Sequence, residues 1–407
     1  MIEQDGTENL PAEFKIFVTL KSIIALGGGF FTVLLPWMII SLTRSAFLTG
    51  IGEGIVAVPL LTSFIIGNTV DKLKNKANAF ALSLLAITFF SSLLLFSLFS
   101  KMTVLIAIAI FMPALIISYF GDVQTTISSF FDKILLSGSN LKKGVSLSRG
   151  TSSLAKITGI AIFAPLISFG LGVSVYFLAI IYLLSFLIFL FIRKALSTNN
   201  SGDNPTEAGD IFSGIRKFLS FPVLKELALI AIVVNFFFGM IVVGFTLMIN
   251  IYFNLGGAYL SYILGIWAIG DAVGSLMAAR IKNASGSFVS ISVVVWGILF
   301  AAIYLLSSNY LYYPLLPVVF LIGLVSGIMN ALIYGFMLKN TGEEAIGSTF
   351  GSFNSLFGGI TFLSGMISGV ILVYLPAPSL FLLMGISTMI TGIVSRLIFK
   401  NLNKVSL

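Results

Sequence analysis

Long apolar stretches recur along the chain, separated by short polar segments. A helix of about 20 apolar residues crosses the hydrocarbon core of a bilayer. On that criterion the pattern predicts spans near 15–41, 45–67, 77–99, 102–127, 144–170 and 172–193, then near 223–250, 257–280, 287–307, 310–338, 345–372 and 376–399. The expected fold is an all-α polytopic membrane protein with twelve transmembrane helices in two six-helix pseudo-repeats. Its expected parts are a tail (1–14), an N-terminal six-helix bundle (15–193), a linker (194–222), a C-terminal six-helix bundle (223–400) and a second tail (401–407).

The linker is the one long polar segment. Ser, Thr, Asn, Gly, Asp and Pro cluster in STNNSGDNPTEAGD, the composition of a surface connection. Its Ile211–Leu219 part, IFSGIRKFL, has the pattern of a short interfacial helix. The two sets of spans are nearly equal in length and align locally. Ala46-Phe47-Leu48-Thr49 opens the second span and Ala258-Tyr259-Leu260-Ser261 the eighth, and the same offset places Ser63 on Ser275. A six-plus-six duplication is one of the known transporter plans.

Composition narrows the chemistry. The chain is 58% hydrophobic and 9% charged, where a soluble domain carries roughly 25% charged residues. It has no cysteine and no histidine. That excludes disulfides, thiolate nucleophiles, imidazole bases and Cys/His zinc sites, and neither a metal nor a cofactor is expected. The net charge of +8 is spread through short loops, which fits membrane orientation and not nucleic-acid binding. With both termini placed in the cytoplasm, every loop cation falls inside except Arg44 and Lys101, while Lys21, Arg149 and Lys156 lie within helices. The acidic start, with Glu3, Asp5, Glu8 and Glu13, is unlike a signal peptide. The expected location is the plasma membrane of a prokaryotic cell, as a multi-pass monomer in the lipid bilayer.

The loop after the second span reads Gly67-Asn68-Thr69-Val70-Asp71-Lys72-Leu73-Lys74-Asn75-Lys76. It resembles the signature loop of the major facilitator superfamily, with Lys74 where that family usually has a second glycine and Lys72 where arginine is commoner. Gly327-Ile328-Met329-Asn330, continued through Glu343-Glu344 to Gly347 and Gly369, resembles spans ten and eleven of the drug and siderophore exporters of that superfamily. Ser348 replaces their arginine. The resemblance implies a facilitator-type rocker-switch transporter with one central cavity. It makes Gly67, Asp71 and Lys72 a gating loop, with Asp71 set near the start of span eleven, here Ala345–Ser348. A carboxylate is favoured at a helix N-terminus by about 0.3–1 kcal/mol. The other reading of the loop is a basic topology anchor.

Charges inside spans are the remaining signal, since each costs at least about 2.5–3.5 kcal/mol at the bilayer centre. They are Lys21, Glu53, Asp122, Arg149, Lys156 and Asp271. With no histidine to titrate near neutrality, a carboxyl is the simplest proton carrier. Glu53, in Gly52-Glu53-Gly54, and Asp271 are the proton-coupling candidates. Glu53 is otherwise a structural partner for Lys21, and Asp271 for Arg280. Arg149, Ser152, Ser153 and Lys156 share one helical face. Arg149 is expected to pair with Asp122, while Lys156 is free for an anionic group or for Glu53. Lys21, Lys156, Arg149, Asp122 and Asn330 are the substrate-cavity candidates.

The expected function is proton-coupled efflux of a small lipophilic or amphipathic molecule by alternating access, with organic-anion transport as the alternative. Two intramembrane aspartates after glycine, Asp122 and Asp271, are also compatible with an intramembrane aspartyl protease, but neither segment carries that full motif. A lipid scramblase or receptor is separable from a transporter by measured flux. The chain has no Gly-x-x-x-x-Gly-Lys-Ser/Thr loop, so direct ATP coupling is not expected; nor is the chain expected to be an enzyme.

Overall fold

The computed structural model of the chain describes residues 10–136, 140–197, 222–278, 280–281, 286–340 and 346–404. Among these, regular structure is helical throughout. The helices are α1 (Ala12–Thr43), α2 (Ala46–Leu61), α3 (Ser63–Asp71), α4 (Lys76–Leu93) with a 3-10 extension (Leu94–Leu98), α5 (Thr103–Leu135), α6 (Asn140–Ser168) and α7 (Leu171–Ser197). They continue with α8 (Pro222–Leu247) and its terminal π-helical turn (Met248–Tyr252), α9 (Gly257–Ala278), α10 (Ser287–Ser308), α11 (Leu315–Asn340), α12 (Ile346–Tyr374), α13 (Ala377–Ile398) and α14 (Lys400–Lys404). Among the described residues, 10 helices are long and apolar enough to cross a membrane. The spans predicted at 45–67 and 345–372 correspond to two shorter apolar stretches, Ala46–Leu61 and Gly359–Tyr374.

Local chemistry explains the departures from the predicted boundaries. The second span is not one helix but two, α2 and α3, broken at Thr62. Pro59 lies inside α2, where a proline cannot donate the backbone bond and crowds the preceding turn. Thr62 caps the break, its backbone N–H reaching Pro59 O at 3.1 Å and its hydroxyl the same oxygen at 3.2 Å. Ser45 and Asn75 cap the starts of α2 and α4 by accepting from Leu48 N at 3.2 Å and Asn78 N at 2.9 Å. The predicted fourth span ends too early: α5 runs on to Leu135 and carries Asp132 inside the helix. α7 likewise continues into the expected linker, burying Leu196. The rest of that linker, with the expected Ile211–Leu219 helix, lies outside the described residues. Residues 401–404, expected in a tail, form most of α14. Glu226 holds it by accepting from Asn401 Nδ2 at 2.8 Å and Leu402 N at 2.6 Å, and the Leu402 side chain is fully buried.

Packing divides the helices into two groups. In the first, α1 packs on α6 and α7, and α4 on α5 and α7; in the second, α9 packs on α11, α10 on α13, and α8 on α12. Large apolar residues such as Leu82, Phe89, Phe191, Ile291 and Ile298 face outward, the inverse of a soluble fold. Lipid is as apolar as leucine, so helices in a bilayer associate through close van der Waals contact and aromatic packing. Phe80 shows this at the centre of the first group, 5.7 Å from Phe131 and 4.9 Å from Phe189 between ring centroids. In the second group the loop between α10 and α11 is pinned by Tyr312, whose hydroxyl donates to Tyr259 O at 2.9 Å. Burial among Tyr259, Tyr262 and Tyr313 pushes this phenol above its ordinary value, so it stays a donor.

Candidate functional site

The two groups meet through α2 on α12 and α6 on α9. One end of the bundle, where α1 begins, is here called the near end, and the opposite the far end. The far half of the interface is sealed. Gly50 of α2 lies so close to α12 that an added Cβ would stand 2.5 Å from Gly369 Cα and 2.6 Å from Gly365 O. Gly257 at the start of α9 abuts the Trp37 indole, whose Cε2 would lie 2.7 Å from a Cβ there. The Ser261 hydroxyl donates to Ile160 O between α9 and α6. Arg44, in left-handed conformation at the end of α1, donates to Asn250 Oδ1 at 3.2 Å in the π-helical turn of α8. Toward the near end the same helices become accessible: Arg149, Ser153 and Lys156 on α6, and Ser275, Leu276 and Met277 on α9, are exposed.

Between these regions a polar line crosses the interface. Asp271 of α9 lies close to Ser326 on α11 and within electrostatic reach of Lys156 on α6. Asn330 extends the line, its Nδ2 donating to Ser326 Oγ at 3.3 Å. Glycine makes this geometry possible. A Cβ on Gly323 would stand 2.8 Å from Trp267 Cδ1, and one on Gly327 would stand 2.7 Å from Ser275 N. The backbones of α9 and α11 therefore touch, and one turn on either side carries Asp271 and Ser326 together.

Other sequence candidates are arranged differently from expectation. Lys21 bonds to Asp132, Nζ to Oδ2 at 2.8 Å, with side chains only 18% and 11% exposed. It is therefore not the partner of Glu53, and the pair belongs to the first group rather than to the interface. Asp122 and Arg149 do not form the expected ion pair: Asp122 is half-buried on α5, and Arg149 is exposed on α6. α5 and α6 pack chiefly on other helices and hardly on each other, so the two side chains are not brought together. Glu53 lies where α2 touches α12, its carbonyl carbon 3.2 Å from the Cβ position of Gly365. It makes no hydrogen bond or ion pair with a described residue, and Lys156 is within electrostatic reach of Asp271 instead. The triple glycine of α1 does not unwind the helix; Gly27 packs on Tyr182, Gly29 on the Lys156 backbone, and Gly28 faces open space.

At the loop that the resemblance assigns to gating, α3 packs on α12. Gly67 has open space where a Cβ would be, and Lys72 is exposed. The Asp71 side chain and residue 345 lie outside the described residues, as do the side chains of 346–348.

Sequence reasoning missed Asp132, Ser326 and Asn235. Asn235 is the one polar side chain in the apolar run Leu227–Phe238, and that interruption was a readable signal. It lines a cavity of about 120 Å³ between α8, α10 and α11, together with Phe238, Trp296, Ser326, Met329 and Asn330.

The whole arrangement has counterparts among solved structures. The nucleoside transporter NupG superposes with a TM-score of 0.76 at 14% identity, over 96% of this chain and 100% of that one. A POT family transporter solved with 5-aminolevulinic acid gives 0.74 at 11%, over 97% of each chain. A bacterial homologue of the iron transporter ferroportin, in an inward-facing state, gives 0.72 at 12%, over 98% of this chain and 100% of that one. At these identities the likeness concerns the fold. No curated protein sequence matches the chain. The Major Facilitator Superfamily model matches residues 17–365; with most of its length inside that match, the chain belongs to the major facilitator superfamily and is a transporter, not an enzyme.

Proposed function

We propose that this transporter exports a small amphipathic molecule by alternating access, driven by protons, with Asp271 as the coupling carboxylate. The observation that carries the reading is the placement of Asp271 on one helix group within electrostatic reach of Lys156 on the other. A carboxylate in that position feels the separation of the groups directly: its counter-charge approaches or withdraws as the interface moves, and its proton affinity changes with it. Glu53 is the second candidate, because it lies in the other interhelical contact, α2 on α12. Cargo of mixed character is supported by a lining that combines aromatic rings with amide and hydroxyl groups, and export by the likeness of Gly327–Asn330 to exporter sequences.

The layout under this proposal is twelve spans in two repeats, with the near end and the linker in the cytoplasm. Two contacts support it. The α2–α12 and α6–α9 packings exchange when each helix is replaced by its counterpart six spans away, as expected of a two-fold duplication. Far-end Arg44 and Lys101 contrast with the cations of the near end. Single cysteines at Lys72 and Asn309 test the layout, since the protein has no cysteine of its own; labelling of both from the same side of the membrane would exclude it.

Proteoliposomes with an imposed pH gradient test the coupling. Asp271→Asn should abolish gradient-driven accumulation while leaving exchange of substrate for substrate, which moves no net proton. If Asp271→Asn and Glu53→Gln both accumulate substrate at the unmodified rate with unchanged pH dependence, proton coupling through these carboxyls is wrong. A second reading, transport of an organic anion, is favoured by the exposed Arg149 and Lys156 on one face of α6. Competition by organic anions, lost in Lys156→Met, would select it.

A further inference from the structure

The cavity between α8, α10 and α11 has a composition that the coupling chemistry does not use. Among the described residues its polar lining consists of Asn235, Ser326 and Asn330, and the rest of that lining is apolar and uncharged. Phe238 and Trp296 form one wall, their ring centroids 4.7 Å apart and their planes tilted by 47°. The Trp296 Nε1–H already donates to Ile322 O at 3.1 Å, so that indole is held in place and offers the cavity its ring. Asn235 Nδ2 donates to Ala231 O at 2.8 Å and Asn330 Nδ2 to Ser326 Oγ at 3.3 Å. Among the described residues, each amide leaves its carbonyl oxygen and its second N–H without a partner and open to a guest. Asn330 is exposed while also lining the cavity, which gives a guest a way in.

We infer that this cavity is a subsite for a neutral aromatic ring carrying a hydrogen-bonding edge, such as an amide or an amino group on the ring. The volume is that of one ring: an apolar cavity of about 150 Å³ takes up benzene, and this one measures about 120 Å³. A neutral guest is favoured over a charged one, because no described lining residue carries a charge to offset desolvation. Aromatic walls favour a flat π-system over a saturated ring of similar size, and the two amides match an edge that both donates and accepts. The cavity also adjoins the coupling candidate: Asn330 donates to Ser326, and Ser326 lies close to Asp271. The inference deepens the reading of the chain as an exporter of amphipathic molecules, by naming the ring-bearing end of the cargo and where it docks.

Equilibrium binding tests it without requiring transport. The protein contains 3 tryptophans, and a Trp37→Phe/Trp267→Phe background in lipid nanodiscs leaves Trp296 as the reporter. Benzamide should change Trp296 emission saturably, and cyclohexanecarboxamide should bind more weakly. Ala231→Leu, which fills the cavity, should weaken benzamide by about tenfold or more, and so should Asn330→Leu, which removes one amide at nearly constant volume. The second substitution decides the matter if the first prevents folding, as judged by its melting temperature. Absence of a saturable response, or an affinity unchanged in both variants, overturns the subsite even if the protein transports. Saturable, variant-sensitive binding in a protein that transports nothing supports the subsite and removes the export reading alone.

Discussion

The Lys21 ammonium of α1 lies 2.8 Å from the Asp132 carboxylate of α5, and the second oxygen of Asp132 is buried without a partner among the described residues. Removing one member of a largely buried pair strands the other, whereas removing both is often tolerated. Lys21→Met and Asp132→Asn should each lower stability by about 1–3 kcal/mol, and Lys21→Met/Asp132→Leu should recover most of the loss. Thermal unfolding of the three variants in one detergent provides the check. A double variant as unstable as the sum of the singles would mean that the two residues act independently.

Gly50 and Gly369 hold α2 and α12 at backbone contact in the far half of the interface. Gly369→Val adds a branched side chain where even a Cβ would stand 3.0 Å from Gly50 Cα and 3.0 Å from Phe47 O. Alternating access then predicts a shift of population toward a far-open state. Spin labels on cysteines at Phe47 and Tyr374, both exposed, report it. The expected result is a longer interlabel distance in Gly369→Val than in the unmodified background; an unchanged distribution would show that this contact does not limit opening.

Lys156 and Asp271 should be energetically coupled across the groups. Each neutral variant, Lys156→Met or Asp271→Asn, leaves one charge facing the interface without its opposite. Transport rates for the singles and for Lys156→Met/Asp271→Asn form a double-mutant cycle. Its interaction energy is expected at about 0.5–3 kcal/mol, the range for residues in one network. A value indistinguishable from zero would separate the two residues functionally.

Asp71 ends α3, and α3 packs on α12. The gating role that the resemblance implies would have it set the balance between states and leave the cavity chemistry alone. Asp71→Asn should therefore reduce transport several-fold while equilibrium binding of substrate changes little. Equal loss of binding and transport would assign the residue to some other role.

Hydropathy alone led to the membrane class and to the approximate limits of most apolar helices, because in lipid every backbone polar group must be satisfied within its own helix. The family was also legible, in the loop Gly67–Lys76. Helix ends were read less well. Pro59 was visible in the apolar run of the second span, but the break at Thr62 depends on capping geometry. Asp132 was passed over because it lies past the apolar run that marks its span, on the part of α5 beyond the predicted limit.

Pairing of the intramembrane charges was decided by tertiary structure. The sequence names Lys21, Glu53, Asp122, Arg149, Lys156 and Asp271 as costly side chains in need of surroundings, since desolvation acts on each residue by itself. It cannot choose partners, because a partner is set by which helices touch and at what height. Backbone contact at Gly323 and Gly327 brings Asp271 to Ser326, and the α6–α9 packing sets Lys156 opposite. The α1–α5 packing gives Lys21 to Asp132. Those heights follow from where small residues let two helices close up, a condition spread over residues hundreds of positions apart.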